Sequence, residues 1–308
     1  MRSRDAAADA AADAAADAAA PDLSRVRRVL VLRHRAAGDL LLTTPALRAL
    51  RAGLPSARIE VLVSRGTGSL LRGNPDVDEV LELDRRSLVS QAARYAQLAR
   101  GGYDLVLDMV SNPRSALMTA LTRAPIRVGY DLPGRRRAYT IRVPREPVGP
   151  GGLRVRYAPE ASLDLVRALG IPSRGLALTL QVPPETQARM DSWIEGCGLG
   201  AKSIAACLPA GTWPAKTWIP ERFAEAMDAL HESADVIWLW GPGEEALARE
   251  CRGRMKAPST LAPEVGWDEL AALLRRVALL VSNDSGPKHL AVALGVPTVT
   301  IFGPTHPG

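Results

Sequence analysis

The stretch ALLVSNDSGPKHL, residues 278–290, has the pattern of a strand that turns directly into a helix. Its first four residues are apolar and form the strand, while Asp284 and Ser285 are typical helix-capping residues. Gly286 permits a tight turn, and Pro287 suits a first helical position. Such a turn directs free backbone N–H groups and the helix dipole at one point, where a phosphate can bind. The alternative interpretation is a well-capped helix that binds nothing.

A second strand-turn-helix pattern covers residues 26–55 and places an acidic group after the first strand. A buried strand is followed by a turn with Gly38 and Asp39, and then by a helix with periodic apolar residues. In open parallel α/β sheets, ligands bind beyond the carboxyl ends of the strands. Asp39 is therefore a candidate for chemistry, and the alternative is that it only caps the helix.

The third pattern, residues 203–230, places a cation at a strand end. A strand runs into a loop rich in Pro, Gly, Thr and Trp that carries Lys216, and a helix begins at Pro220. A lysine at the carboxyl end of a strand is suited to bind phosphate. The alternative is a solvated lysine, the usual environment of this residue.

Outward from these segments, strand and helix patterns alternate along the chain. This alternation is typical of parallel sheets with crossover helices. We predict an α/β fold of two Rossmann-like lobes with parallel sheets facing a cleft. Strands are expected at residues 29–32, 59–63, 79–83 and 105–110 of the first lobe and at 204–208, 236–240, 279–282 and 298–302 of the second.

The predicted lobes span residues 23–180 and 181–308. The Pro/Gly/Arg-rich stretch 133–152 is expected to be irregular, and a helix is expected at 158–169. Residues 1–22 form a low-complexity tail in which aspartate recurs every four residues, at Asp5, Asp9, Asp13 and Asp17. Because like charges would stack on one helix face, we expect this tail to be disordered. It lacks the uncharged apolar run of a signal peptide or a membrane span.

Five motifs together give the chain a family resemblance. In order, they are GDLLLTTPALRALR, YDLVLDMVSNPRSALMTALTRAPIRVGYD, PAGTWPAKTWIPERFAEAMDAL, WLWGPGEE and SNDSGPKHLAVALGVPTVTIFGPT. The chain resembles glycosyltransferase family 9, the heptosyltransferase family of lipopolysaccharide core synthesis, over residues 29–304. The resemblance implies a glycosyltransferase-B architecture and inverting transfer of heptose from ADP-heptose to a lipid-linked sugar. It implies neither a metal nor a cofactor, since the nucleotide sugar is a substrate.

An inverting transfer needs a base for the acceptor hydroxyl and stabilisation of the departing diphosphate. The resemblance assigns Asp39 as the general base and Lys216 as the second catalytic residue. In the motif GPGEE, Glu244 or Glu245 matches the nucleoside-side acid of the family. The expected donor-binding residues are Thr212, Lys216, Glu244, Asp284, Ser285, Gly286 and His289.

Composition indicates anionic partners. The chain has 308 residues, a net charge of +6 and a pI of about 9.6, which favours a nucleotide sugar and an anionic membrane surface. Nucleic acid is not expected, because the basic residues are dispersed and aromatic residues are few. Arg114 is a candidate acceptor-binding residue. The densest basic patch, Arg135 to Arg137, is expected to be a solvated loop, with contact to acceptor phosphates or lipid as the alternative.

Three cysteines, Cys197, Cys207 and Cys251, have neither metal nor redox spacing. A cytoplasmic location is expected, with peripheral contact at the inner face of the cytoplasmic membrane. The pair Asp76 and Asp78 has the D-x-D spacing of metal-dependent glycosyltransferases. It stands in a turn before a strand, however, so we interpret it as a surface turn and predict activity without metal.

Departures from the family pattern leave two alternatives open. Leu208 replaces a histidine, Arg35 stands in a loop where relatives carry hydroxyls, and Lys288 replaces an apolar residue. Lys288 is expected to face water. The chain ends at Gly308, before the further helices usual in the family, and we therefore expect a truncated second lobe. The alternatives are an enzyme of the same fold with another nucleotide sugar or acceptor, and a non-catalytic protein that only binds the donor.

Overall fold

A computed structural model of the chain describes residues 20–34, 36–145, 157–211 and 214–303. The described residues divide into two compact units. Unit 1 takes its residues from Met1–His34, Thr43–Arg65 and Pro75–Leu176. Unit 2 takes its residues from Arg35–Leu42, Gly66–Asn74 and Ala177–Gly308. The boundary after Leu176 lies close to the boundary predicted at residue 180. Two short N-terminal segments, Arg35–Leu42 and Gly66–Asn74, nevertheless group with unit 2.

Unit 1 contains a parallel sheet. Its strands in the described part of the chain are β1 Arg28–Arg33, β2 Arg58–Ser64, β3 Glu79–Leu83, β4 Leu105–Asp108, β5 Ile126–Tyr130 and β6 Ile141–Val143. They are ordered β3-β2-β1-β4-β5-β6, and all neighbours are parallel. The chain therefore starts near the centre and winds outward to both edges. The apolar residues of β1 are fully buried, as is typical of a strand covered on both faces.

Unit 2 contains a second parallel sheet. Its strands are β7 Ser203–Leu208, β8 Ala234–Trp238, β9 Thr260–Leu261, β10 Val277–Asn283 and β11 Thr298–Ile301. Their order is β11-β10-β7-β8-β9. Trp238 and Phe223 are completely buried and pack in its core together with the free thiols of Cys207 and Cys251. Two parallel α/β units are thus present, as the sequence predicted.

Helices separate most of these strands. In chain order they are α1 Ala37–Leu41, α2 Thr44–Gly53, α3 Leu88–Arg100, α4 Pro113–Leu121, α5 Ala158–Arg167, α6 Pro184–Gly196, α7 Pro220–His231, α8 Glu245–Gly253, α9 Trp267–Leu274 and α10 Gly286–Ala293. Local sequence fixes several of their starts. At α4, the N–H of Ser115 donates to Asn112 Oδ1 and the N–H of Asn112 donates to Ser115 Oγ, both at 2.9 Å.

The predicted bounds of two strands were wrong, and so was the prediction that residues 133–152 are irregular throughout. Strand β4 ends at Asp108, not at residue 110, because the Asp108 carboxylate accepts the N–H groups of Val110 and Ser111 and bends the chain. Strand β8 begins and ends two residues earlier than predicted, since Ala234 pairs with Ser203 at the start of β7. Strand β6 lies inside the stretch 133–152 that was expected to be irregular, and it pairs with β5 at the sheet edge.

The D-x-D turn belongs to unit 1 and is more buried than expected. Asp76 is only 8% exposed, and burial raises the pKa of its carboxyl group. Asp78 accepts from the N–H of Ile59 at 2.6 Å and from the guanidinium of Arg51 at 2.5 Å. The surface assignment is therefore wrong for Asp76, while Asp78 serves to join β2 to the turn before β3.

Two further findings bear on partners. Among the described residues, no helix is both long and apolar enough to cross a membrane. The basic patch is ordered in part: Arg136 and Arg137 are exposed in a short 3-10 helix, Arg136–Ala138, and Arg136 pairs with Asp131 at 2.5 Å.

Candidate functional site

The turn between β10 and α10 has the features of an anion site. Ser285 occupies the N-cap position with extended backbone dihedrals, but its side chain makes no capping hydrogen bond. Its Oγ atom is buried and has no hydrogen-bond partner among the described residues. A buried hydroxyl without a partner is costly, and the first N–H groups of a helix also need acceptors. A bound phosphate at this position would satisfy both needs.

Lys216 lies beside this turn. It ends the 3-10 helix Pro214–Lys216, and its Nζ is 2.8 Å from Oδ2 of Asp284, with both side chains about five-sixths buried at 16% exposure. Two glycines, Gly211 and Gly303, lie close against the backbone of Ala215 and Lys216. A Cβ on Gly303 would lie 2.5 Å from the carbonyl oxygen of Ala215, and one on Gly211 would lie 3.1 Å from the carbonyl carbon of Lys216. Lys216 is therefore held at the turn rather than solvated.

Asn283 connects the same loops and was missed by the sequence analysis. It is completely buried at the end of β10. Its side-chain amide donates to the carbonyl of Pro209 after β7 and accepts from the N–H of Trp218 at 3.2 Å. A polar residue at the end of an apolar strand was the available signal. This residue fixes the Lys216 loop relative to the turn.

Asp39 also belongs to unit 2, through helix α1. Helix α1 packs against α10 at two glycines: a Cβ on Gly38 would lie 3.1 Å from Cα of Gly286 and 2.7 Å from Cδ2 of His289. Neither glycine has a positive φ. The predicted roles of Gly38 and Gly286 in tight turns are therefore wrong, since both lie in helices and allow close packing instead. Asp39 was expected in the first lobe, but it groups with unit 2, which also contains the turn before α10.

His289 lies between charges of both signs. Burial is the main cause that lowers its pKa, to about 4, and the positive charge of Lys288 acts in the same direction, while Asp284 and Asp39 act in the opposite direction. The ring is therefore neutral near pH 7. A neutral imidazole can donate one hydrogen bond and accept another.

A cavity of about 820 Å³ opens beside the turn within unit 2. Ser285 and Gly286 line it, as do Glu244, Trp240 and Trp267. Glu244 accepts the N–H of Gly241 at 2.9 Å, which holds its carboxylate at the cavity wall. Glu245 instead pairs with Arg249 at 2.6 Å and does not line the cavity. Of the two predicted acids, Glu244 is thus the one that lines the cavity beside the turn, whereas Glu245 lines a separate cavity of about 610 Å³.

The structure groups most, but not all, predicted site residues. The cavity wall formed by described residues does not include Asp39, Lys216, Asp284 or His289, which surround the adjacent turn. Thr212 lies outside the described residues. Arg114 lies in unit 1, in the first turn of α4, whereas the other described site residues lie in unit 2. Sequence reasoning also missed Arg72 and Asp268, which line the cavity and pair at 2.8 Å.

Cationic side chains lie at the turn, and the described residues offer no metal site. Within the described ranges, no group of three or more His, Cys, Asp or Glu side chains could hold a metal ion. Lys288 does not face water as expected, because its side chain is 15% exposed and its ammonium pairs with Asp284. Among the described residues, the positive groups at the turn are therefore two lysines and a helix N-terminus.

Known structures share this fold. The crystal structure of the glycosyl transferase family 9 protein from Veillonella parvula matches with a TM-score of 0.83 and 24% identity, over 94% of this chain and 83% of that chain. The structure of Escherichia coli heptosyltransferase WaaC with ADP matches with a TM-score of 0.70 and 24% identity, over 91% of this chain and 88% of that chain. Two parallel α/β units with these likenesses define the glycosyltransferase-B fold as the structural class of this protein.

Sequence comparison narrows the class to a family. The family model of glycosyltransferase family 9 (heptosyltransferase) matches residues 92–308, which is most of the chain. The chain belongs to this family and is a glycosyltransferase, so the resemblance seen in its motifs is confirmed. Lipopolysaccharide heptosyltransferase 3 of Escherichia coli is 28% identical over 287 residues, covering 88% of this chain and 82% of the relative.

Proposed function

We propose that this chain transfers a heptose from ADP-heptose onto a sugar of the lipopolysaccharide core. Its family and its curated relatives support this proposal, since those relatives are lipopolysaccharide heptosyltransferases. Structures of the related WaaC contain ADP and ADP-2-deoxy-2-fluoro heptose. A cavity of about 820 Å³ next to an anion-type turn is large enough for a nucleotide sugar.

The donor diphosphate binds at the start of α10 in this proposal. Ser285 Oγ and the N–H groups of the first helical turn donate to its oxygens, and Lys216 adds a charge-assisted contact. Glu244 accepts from the ribose hydroxyls at the cavity wall. These groups also stabilise the negative charge that develops on the departing diphosphate.

Asp39 is the general base in the proposed reaction. Its carboxylate takes the proton of the acceptor hydroxyl while that oxygen forms a bond to the anomeric carbon of heptose. The bond from this carbon to the diphosphate oxygen breaks in the same step, and ADP leaves with the electron pair. A single displacement inverts the anomeric centre. The observation that carries the proposal is the packing of α1 on α10. This packing brings Asp39 and the turn between β10 and α10 into one unit.

The reaction needs no metal in this proposal, because two lysines and a helix N-terminus supply positive charge at the turn.

The acceptor is lipid-linked, and we further propose that the enzyme works at the inner face of the cytoplasmic membrane, where Arg136 and Arg137 contact anionic lipid. Absence of co-sedimentation with anionic vesicles would remove the membrane contact from the proposal.

The substitution Asp39→Asn tests the base. We expect the turnover number to fall about a hundredfold to ten-thousandfold while ADP affinity is retained, since only the proton acceptor is lost. The measurements are heptose transfer from ADP-heptose and calorimetric titration with ADP. Asp22→Asn, at an exposed position outside the site, is the matched control. An unchanged rate in Asp39→Asn would show that another group is the base.

Thermal stabilisation by nucleotide sugars tests the donor, because a ligand that binds only the folded state raises the unfolding midpoint. Selective stabilisation by ADP and ADP-heptose supports the proposal. A selective response to UDP- or GDP-sugars would indicate an enzyme of the same fold with another donor. ADP binding without transfer to any core acceptor would indicate a binding protein.

Loss of transfer with chelator, restored by magnesium or manganese, would contradict metal independence.

A further inference from the structure

Lys288 has an environment that its position in the sequence does not explain. It stands in the first turn of α10, where its ammonium pairs with Oδ1 of Asp284 and lies 4.5 Å from the ring centroid of Phe302. A cation near a helix N-terminus is unfavourable, because it opposes the positive end of the helix dipole. The carboxylate and the aromatic ring stabilise the charge there. The fold thus maintains a cation where a helix alone disfavours one.

Asp284 is shared by two lysines. Lys216 contacts its Oδ2 atom and Lys288 contacts its Oδ1 atom. Binding a diphosphate through Lys216 takes a cation away from this largely buried carboxylate. Removing one partner of a buried ion pair is strongly unfavourable. With Lys288 in place, Asp284 keeps a cation when Lys216 turns to a ligand.

The charge balance of the turn leads to the same conclusion. The charged groups that act on His289 are Lys288, Asp284 and Asp39, and Lys216 is bound to the same Asp284. Removing Lys288 would take one positive charge away from this group of described side chains and so weaken its attraction for a diphosphate.

We propose that Lys288 is a positioning residue for the donor diphosphate. It holds Asp284 so that Lys216 can exchange this carboxylate for the diphosphate oxygens. The inference rests on the proposed function, because it assumes that a nucleotide diphosphate binds at this turn.

The first test compares ADP and adenosine in calorimetric titrations. We expect Lys288→Met to weaken ADP binding about tenfold and to leave adenosine binding unchanged, because only the diphosphate requires Lys216 to leave Asp284. Lys288→Arg, which keeps the charge, should restore most of the affinity. Lys202→Met, at an exposed position outside the site, is the matched control. The thermal midpoint of unliganded Lys288→Met should change little, since Asp284 keeps Lys216 as a partner and the lost contacts of Lys288 are offset by removing a cation from a helix N-terminus.

The second test asks whether Lys288 acts through Asp284. In an Asp284→Asn background, Lys216 has no carboxylate to leave, so adding Lys288→Met should change ADP affinity much less than it does alone. An equal loss in both backgrounds would overturn the positioning role.

The outcomes separate this inference from the proposed function. If the wild-type protein binds ADP and Lys288→Met binds it equally well, the inference is wrong and the proposed function stands. If the wild-type protein binds neither ADP nor inorganic pyrophosphate, both are wrong. An equal loss of ADP and adenosine affinity in Lys288→Met would show a general structural defect and would also contradict the inference.

Discussion

His289 shows how single residues at the turn are adjusted by their surroundings. Burial and Lys288 both disfavour the imidazolium, and they outweigh the opposing effects of Asp284 and Asp39, so the pKa falls to about 4. The ring therefore stays neutral beside the proposed base. A neutral ring can donate to a phosphate or a hydroxyl without neutralising Asp39 through an ion pair.

We predict that the His289 resonance titrates with a midpoint near pH 4. The unfolded chain binds a proton at this residue below about pH 6.5, whereas the folded chain does so only near pH 4. Stability from this residue is therefore lost as the pH falls from 6.5 to 4. NMR titration measures the midpoint, and the resonance is assigned by its absence in His289→Gln, with His231→Gln as the control. A midpoint near 6.5 would show that the ring is solvated.

At the scale of elements, the contact between α1 and α10 determines where Asp39 lies. The two helices approach until the backbone of Gly38 meets Gly286 and the ring of His289. A methyl group at this contact would lie closer than van der Waals distance to both neighbours. The glycine is required by packing between two elements that are distant in sequence, which a local pattern does not reveal.

Gly38→Ala tests this contact. We expect the turnover number to fall about tenfold or more, because a displacement of α1 moves Asp39 away from the acceptor oxygen. The overpacked contact should also cost about 1–3 kcal/mol of stability. Gly196→Ala is the matched control, since a Cβ on this helical glycine meets nothing within 4 Å and should be neutral or slightly stabilising. Wild-type turnover in Gly38→Ala would show that α1 does not set the reaction geometry.

At the scale of the whole molecule, each unit has its own sheet and its own stabilising contacts. In unit 1, the completely buried carboxylate of Glu60 pairs with Arg28 at 2.8 Å and with Arg58 at 3.1 Å. The hydroxyl of Tyr103 donates to the same carboxylate at 2.7 Å. Burial is the main cause of the raised pKa of the Tyr103 hydroxyl. This network joins β1 and β2 to the residues before β4, and it contains none of the predicted donor-binding residues.

Glu60→Gln should therefore lower stability without changing the donor site. We expect a loss of about 2–3 kcal/mol, less than the full cost of breaking a buried pair because Arg28 is partly exposed. Urea unfolding measures the loss, and ADP titration at 20 °C, well below the unfolding midpoint, should give the wild-type affinity. Glu79→Gln is the matched control, because Glu79 also pairs with Arg58 but is 38% exposed. Equal effects of the two substitutions would contradict the importance of burial.

Much of the fold was predictable because its signals are local. Apolar runs predicted the central strands, and three strand-turn-helix patterns placed Asp39, Lys216 and Ser285 after strand ends. The prediction failed where a side chain or a distant partner sets the structure. Asp108 ends β4 by accepting backbone N–H groups, and β6 exists because β5 offers it an edge. Lys288 was expected in water because an isolated lysine prefers it, but Asp284 and Phe302 provide a buried partner and a ring.

By itself, the sequence determined the α/β class, the family and the residue types available for chemistry, since periodicity and motif spacing depend on neighbours along the chain. Only the tertiary structure decided that Asp39 joins the unit that holds Lys216 and Ser285, that Glu244 rather than Glu245 faces the cavity, and that Lys288 shares Asp284. These results depend on contacts between segments far apart in sequence. Glycine packing and ion pairing select such contacts only when the chain has folded.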